Sequence, residues 1–218
     1  MSEENSITRS KIISLYMDFV LTQQKKPLSV YKFAKENDFE EQEFYKHFSS
    51  FENIESHIFK DLFTSSVQVL LENEEYENFN PRNKLLSFYF TFFENLTANR
   101  SYVLYALEKE KNPLKKNSFA ASLKKVFTNY ISSLEIETVD LKQEKLDKIQ
   151  QKGLQESAWI QLLITLEFWK KDTSNSFEKT DIFIEKSVNT SFDIINTAPI
   201  HSIIDLGKFL FKEKINQN

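Results

Sequence analysis

The chain is almost free of glycine and proline, with 2 Gly and 4 Pro among its 218 residues. Glycine-rich phosphate loops and tight β-hairpin turns need residues that accept a positive φ, so this composition nearly excludes both. The remaining composition, dominated by Lys, Glu, Leu, Phe, Ile, Asn and Ser, favours helices joined by short polar loops. We therefore predict an all-α protein.

Composition also argues against several functional classes. The chain has no cysteine, which rules out disulfides and cysteine-based zinc or redox sites. His47, His57 and His201 are too scattered for a metal site, and no catalytic triad or phosphate loop emerges, so we expect neither a cofactor nor enzymatic activity. The N-terminus MSEENS lacks the basic and apolar parts of a secretory signal. No run approaches the roughly 18 apolar residues of a membrane span, so a cytoplasmic protein is expected.

Capping residues and apolar spacing predict the positions of the helices. Thr8 and Ser29 are good N-caps for the first two, and Ser49 with Glu52 forms a capping box for the fourth. Pro81 and Pro199 stand where the fifth and the last helices can begin. The predicted helices cover residues 8–23, a short segment after Ser29, and residues 40–48, 49–71, 81–96, 101–111, 113–134, 140–171, 177–196 and 199–215.

Three short helices followed by a long helix and a larger helical body resemble the TetR family of bacterial transcriptional regulators. The motif residues that carry this resemblance are Thr8, Arg9, Ile12, Ser29, Phe33, Ala34, Phe44–Tyr45–Lys46–His47–Phe48, Glu52 and Ile54. The segments DTSNSFEKTDIFIEKSVNTSFDIINT and IDLGKFLF are similar to the C-terminal region of one TetR-like subgroup. The resemblance implies two domains, a helix-turn-helix domain over 1–50 and a ligand-binding and dimerisation domain over 51–218.

In the family, the second and third helices form a helix-turn-helix whose third helix enters the major groove of DNA. By position, Tyr45 and Lys46 are then expected to touch phosphates or base edges, Arg9 to meet phosphate, and His47 to fix the helix end. The full set of residues expected at the DNA is Arg9, Ser29, Glu41, Gln42, Glu43, Tyr45, Lys46 and His47.

Several residues depart from the family pattern, and most departures are acidic. Asp38 replaces the turn glycine, Glu40 the small N-cap, Glu43 a threonine, and Phe51 the basic residue that opens helix four. Residues 1–58 hold ten acids and seven bases. A carboxylate about 6 Å from a phosphate costs roughly 0.7 kcal/mol in water. Either these glutamates stabilise the start of helix three and face water, or they face the groove, where Glu41 or Glu43 could read cytosine.

Two further sites are expected in the helical body. The resemblance implies an apolar pocket, suited to a lipid or another flat, apolar molecule, with the lining Phe63, Phe88, Tyr89, Phe92, Tyr102, Tyr105 and Phe127. The alternative is that these aromatic residues simply fill a core. Late apolar helices imply a four-helix homodimer interface, with intrachain packing as the alternative. Its predicted residues are Trp159, Leu162, Leu163, Leu166, Trp169, Ile184, Val188 and Phe192.

These patterns leave two functions open. The first is a homodimeric TetR-like transcriptional regulator that binds operator DNA through helices two and three and responds to an apolar small molecule or lipid. The second is a TetR-fold accessory protein that has lost DNA binding and binds a lipid or a partner, as in the ubiquinone-biosynthesis lipid-binding proteins that this fold resembles. Helix geometry favours the first, and local charge favours the second.

Overall fold

The computed structural model describes residues 7–109, 119–137 and 144–195, and these residues contain α-helices and no strand, as predicted. Two short 3₁₀ helices, Tyr76–Asn78 and Asn175–Phe177, also lie among them. The α-helices are α1 (Arg9–Gln23), α2 (Val30–Glu36), α3 (Glu41–His47), α4 (Phe51–Leu71), α5 (Pro81–Ala98), α6 (Arg100–Lys109), α7 (Phe119–Ser133), α8 (Glu144–Lys171) and α9 (Glu178–Ile195).

The observed bounds lie close to the predicted ones wherever both are described. The predicted starts of helix seven and helix eight, the predicted helix over 199–215 and the segment IDLGKFLF lie outside the described residues. No described helix is long and apolar enough to cross a membrane.

The chain divides into two compact units by its internal contacts. Among the described residues, the first unit takes 7–66, 92–109 and 119–125, and the second takes 67–91, 126–137 and 144–195. Three helices, α4, α5 and α7, therefore contribute residues to both units. The predicted domain boundary at residue 50 stays a prediction, because compactness alone does not define a functional domain.

The N-caps explain where the first helices begin. The Thr8 hydroxyl accepts a hydrogen bond from the Lys11 backbone N–H, and the Ser29 hydroxyl accepts one from that of Lys32, which confirms both predicted caps. Glu40 precedes α3 and makes no side-chain capping bond, in keeping with its poor capping propensity.

The predicted capping box at Ser49 is one residue out of place. The hydroxyl of Ser50 accepts from the Asn53 backbone N–H at 3.2 Å, and the Ser50 carbonyl accepts the first helical hydrogen bond, from Ile54. Ser49 instead donates its own backbone N–H to the Asn53 side chain at 3.4 Å. The prediction of Ser49 as the cap was therefore wrong by one residue, and Ser50 caps α4.

The core of the first unit is built largely from aromatic rings. Phe33 on α2 is fully buried, and it lies in edge-to-face contact with Tyr16 of α1, Phe44 of α3 and Phe51 of α4. Phe51 also stacks on Tyr16 with ring centroids 5.5 Å apart. Phe51, which occupies the position of a basic residue in the family, thus serves the core of this unit.

In the second unit, α8 and α9 pack along their apolar stripes. The fully buried residues at this packing include Leu162 and Trp169 on α8, with Ile184 and Val188 on α9. The corner between the two helices is closed by Asp172, whose carboxylate accepts hydrogen bonds from Ser174 and Thr180.

The cap of α4 gives a direct test of the assignment to Ser50. We expect Ser50→Ala to lower the free energy of unfolding by about 1 kcal/mol, because it leaves the Asn53 backbone N–H without its side-chain acceptor. Ser49→Ala is the matched control and should change it by less than about 0.5 kcal/mol. Urea unfolding followed by circular dichroism measures both, and equal losses from the two variants would contradict the assignment.

Candidate functional site

A four-residue turn, residues 37–40, joins α2 to α3. The backbone N–H groups of Asn37 and Phe39 both donate to the Ala34 carbonyl at 3.1 Å, which closes the end of α2. Asp38 adopts a left-handed conformation with φ 56°. Glycine is usual at such a position, and aspartate is among the few other residues that tolerate it. Asp38 therefore supplies the left-handed position of this turn in the absence of a glycine.

The orientation of α3 is set by Phe44, which is fully buried. A helix turns by about 100° per residue, so Gln42 and Lys46 lie on the side opposite Phe44, with Tyr45 beside them. All three side chains are exposed, whereas Glu41 and Glu43 are only partly so. We call Gln42, Tyr45 and Lys46 the outer face of α3. This face consists of two uncharged residues and one basic residue.

Glu43 is turned toward the protein. Its side chain is 12% exposed, its Oε1 atom is paired with the Lys46 ammonium, and its Oε2 atom is buried. Glu41 also lies in the first turn of α3, where a negative charge is favourable to the helix dipole. Glu40 is exposed just before the helix. The side-chain positions therefore agree with the interpretation in which Glu41 and Glu43 stabilise the start of α3.

Arg9 has an intramolecular partner. Its guanidinium forms two hydrogen bonds with the Asp61 carboxylate of α4, one of them at 3.2 Å, and lies 5.2 Å from the centre of the Phe48 ring. This geometry ties α1 to α4 and to the end of α3. The expected phosphate contact of Arg9 therefore has to compete with Asp61.

The remaining predicted DNA residues lie at the ends of the short helices. Ser29 is exposed at the start of α2, and His47 is exposed at the end of α3 with its Nε2 atom 3.3 Å from the Ile7 carbonyl oxygen. Exposed lysines that sequence reasoning did not assign to DNA lie at Lys11, Lys25 and Lys35.

A network of polar side chains fixes the loop after α1 against α4. The Tyr16 hydroxyl donates to Glu55 at 2.6 Å, and the Lys26 ammonium reaches Glu55 at 2.7 Å and Glu52 at 3.4 Å. Burial, and then the charge of Glu55, raise the pKa of Tyr16 far above its ordinary value, so the hydroxyl stays a hydrogen-bond donor. No sequence pattern pointed to this network, because its members are far apart in the chain.

The aromatic residues predicted to line a ligand pocket pack against other rings. Phe63 contacts Phe92 within the first unit, and Phe127 contacts Phe88 and Tyr89 within the second. Of the predicted set, Tyr105 is the residue that is not buried, and its ring lies 6.4 Å from that of Tyr102. The role of these seven residues in ligand binding stays a prediction.

The predicted dimer residues mostly lie inside the second unit. Leu163 is exposed, while the other seven are covered by the chain itself, so a partner could bury little more of them. The physical reason is that α8 has two apolar stripes, and the one with both tryptophans faces α9 and the core. Seven of the described large apolar residues of these helices are exposed, among them Ile149 and Ile194. We call the other five the outer α8–α9 face: Ile160, Leu163, Ile164, Phe168 and Ile182.

A groove of about 660 Å³ follows this face and is lined by Ile160, Ile164 and Phe168 of α8 together with Ile182 and Phe183 of α9. Phe168 and Phe183 stack with centroids 4.6 Å apart. Sequence reasoning missed this stripe, although the spacing of Ile160, Ile164 and Phe168 at i, i+4 and i+8 is a readable signal for a helix face.

The described residues thus combine two short helices joined by a tight turn, α2 and α3, with further α-helices. Residues 84–210 match the family model described as "Tetracyclin repressor-like, C-terminal domain". This match spans more than half of the chain, and the chain therefore belongs to the TetR-like family. No curated protein matches the chain.

The Asp172 corner holds the start of α9 and thereby orients the outer α8–α9 face. Burial alone would raise the pKa of the Asp172 carboxyl, but hydrogen bonds from Ser174 and Thr180 outweigh burial and hold the pKa well below its ordinary value. Asp172→Asn should lower the free energy of unfolding by about 2 kcal/mol at neutral pH, because it removes hydrogen bonds to a buried charge.

The effect of Asp172→Asn should also depend on pH in a defined direction. Because the pKa of this carboxyl is lower in the folded state, its charged form stabilises the fold. This contribution is complete above the unfolded-state pKa of about 3.9, and it is lost as the pH falls toward the folded-state pKa. We therefore expect the difference between the wild type and Asp172→Asn to shrink below about pH 4. Urea unfolding between pH 3 and pH 7 measures it, with Asp18→Asn on the exposed side of α1 as the control. A difference that stays constant over this range would contradict the role of the charge.

Proposed function

We propose that this protein is a transcriptional regulator that binds DNA as a homodimer through α2 and α3 and responds to an apolar small molecule. The observation that carries the proposal is the outer face of α3, which presents Gln42, Tyr45 and Lys46 to solvent. Glutamine can bond to adenine through two hydrogen bonds in the major groove, and tyrosine and lysine can reach phosphates.

Local electrostatics support the same proposal. A glutamate that faces the groove opposes binding by roughly 0.7 kcal/mol at about 6 Å from a phosphate. Glu43 is directed inward and its charge is compensated by Lys46, so its opposition is smaller than that of a free carboxylate. Exposed Lys11, Lys25 and Lys35 add positive charge to the same unit. The excess of acids over bases in residues 1–58 therefore weakens DNA binding less than the sequence alone implies.

The outer α8–α9 face supports dimerisation. An exposed apolar stripe on two adjacent helices is unusual for a monomer and typical of a protein interface. In a two-fold dimer the same stripe is used by both subunits, which gives four helices at the contact. A homodimer through Ile160, Ile164, Phe168 and Ile182 would also supply the two reading helices that a palindromic operator needs.

One observation favours the second function, an accessory protein without DNA binding. Several bases of the first unit are held in ion pairs: Arg9 with Asp61, Lys26 with Glu52 and Glu55, Lys32 with Glu36, and Lys46 of the outer face with Glu43. If these pairs persist at a phosphate backbone, fewer counterions are released and affinity falls.

The DNA-binding proposal is tested by the affinity of the full chain for the DNA upstream of its own gene across a salt series. We expect binding at low salt with a steep salt dependence, and Lys46→Gln should reduce the salt slope by about one unit per subunit, because one phosphate contact is lost. Fluorescence anisotropy of labelled DNA measures both quantities.

The matched control for this experiment is Lys148→Gln. Lys148 is an exposed lysine paired with a glutamate, as Lys46 is, but it lies on α8 in the second unit. The Lys148→Gln variant should leave the DNA affinity and its salt slope unchanged. No binding of the wild type even at low salt would contradict the regulator and favour the accessory function.

The dimer proposal is tested by Ile164→Glu. Because Ile164 is 53% exposed in the single chain, a glutamate there should fold normally but place a charge in the subunit contact. We expect the dissociation constant of the dimer to rise at least a hundredfold, about 2.7 kcal/mol. Sedimentation velocity measures the mass, and Ile149→Glu, at a residue 62% exposed on the same helix, is the control. An unchanged mass of Ile164→Glu would exclude this face as the interface.

A further inference from the structure

A second cavity lies within the second unit, at the packing of α8 and α9. Its volume is about 350 Å³, which is within the range of small-molecule sites. Residues of α5, α7, α8 and α9 line it, and its apolar wall includes Leu85, Ile131, Leu154, Ala158 and Phe192. None of the seven aromatic residues predicted to line a ligand pocket contributes to this cavity.

The polar lining of this cavity is uncharged. Among the described residues that line it, the polar side chains are Gln150, Ser157, Gln161 and Ser191, and none is a lysine, arginine, aspartate or glutamate. Without a cation, a bound carboxylate or phosphate would lose its hydration with no compensating charge. The lining therefore favours a neutral ligand.

Gln161 is held in one orientation by two serines of α9. Its Nε2 atom donates to the Ser187 hydroxyl at 3.3 Å, and its Oε1 atom accepts from the Ser191 hydroxyl at 3.1 Å. A primary amide has a second N–H and a second lone pair, so Gln161 can both donate to and accept from a further group. This fixed amide at the wall of an apolar cavity is suited to a single hydroxyl or amide head.

We propose that this cavity binds a neutral amphiphile, a molecule with an apolar body and one uncharged hydrogen-bonding head at Gln161. The inference rests on the ligand response in the proposed function and assigns that response to a site. The cavity also shares Ser157, Gln161 and Ser191 with the groove on the outer α8–α9 face, so a ligand in it would adjoin the proposed dimer contact.

The test uses the full chain and two probes of the same length, 1-decanol and decanoate, in isothermal titration calorimetry. We expect one decanol per chain and an affinity for decanoate at least tenfold weaker, because the described lining of the cavity holds no cation. Ala158→Phe, which fills the cavity, should reduce decanol affinity at least tenfold. Gln161→Leu keeps the approximate size of the side chain and should reduce it about tenfold, which corresponds to roughly 1.4 kcal/mol.

Ala98→Phe is the matched control, because Ala98 is exposed at the end of α5 and does not line the cavity. It should bind decanol as the wild type does. The proposal is overturned by absence of decanol binding, by several decanols per chain, by decanoate binding as tightly as decanol, or by wild-type affinity in a folded Ala158→Phe or Gln161→Leu variant. The titration contains no DNA, so its failure and a failure to bind DNA are separate results.

Discussion

The ring of Phe33 is the contact on which the first unit depends. Its centroid lies between 5.6 and 6.4 Å from the centroids of five other rings. Two of these rings belong to α1, and one each belongs to the turn that follows α2, to α3 and to α4. Aromatic side chains bury large areas and prefer such edge-to-face contacts. Because Phe44 of α3 is one of these partners, the same cluster determines which residues of α3 face solvent. The outer face of α3 thus follows from the packing of the core.

Helix positions were predictable because they depend on local chemistry. Thr8 and Ser29 cap their helices as predicted, since a short hydroxyl side chain at the first turn acts on its own backbone. The choice between Ser49 and Ser50 was beyond the sequence, because both can cap and the register of α4 decides. The spacing of apolar residues on α8 also indicates its two apolar stripes, but it does not show which stripe the rest of the chain covers. The prediction was based on Trp159 and Trp169, and both lie on the covered stripe.

The candidate sites were less predictable because they depend on contacts between distant residues. Arg9 and Asp61 are 52 positions apart, and no local pattern shows that they pair. In the sequence, Glu43 is a negative charge at a position expected to face DNA. With Phe44 buried, however, the Glu43 side chain lies against the protein and pairs with Lys46. The neutral cavity at the α8–α9 packing was not predictable for the same reason. Its polar wall depends on the hydrogen bonds that Gln161 of α8 makes with two serines of α9.

We propose that the outer face of α3 is a DNA-reading surface held in place by an aromatic core. Amide hydrogen exchange of the wild-type chain, with and without the DNA upstream of its gene, tests this claim most directly because it reports which segments the DNA covers. We expect slower exchange in α2 and α3 when DNA is present, with little change in α8. Unchanged exchange in α3 at saturating DNA would contradict it.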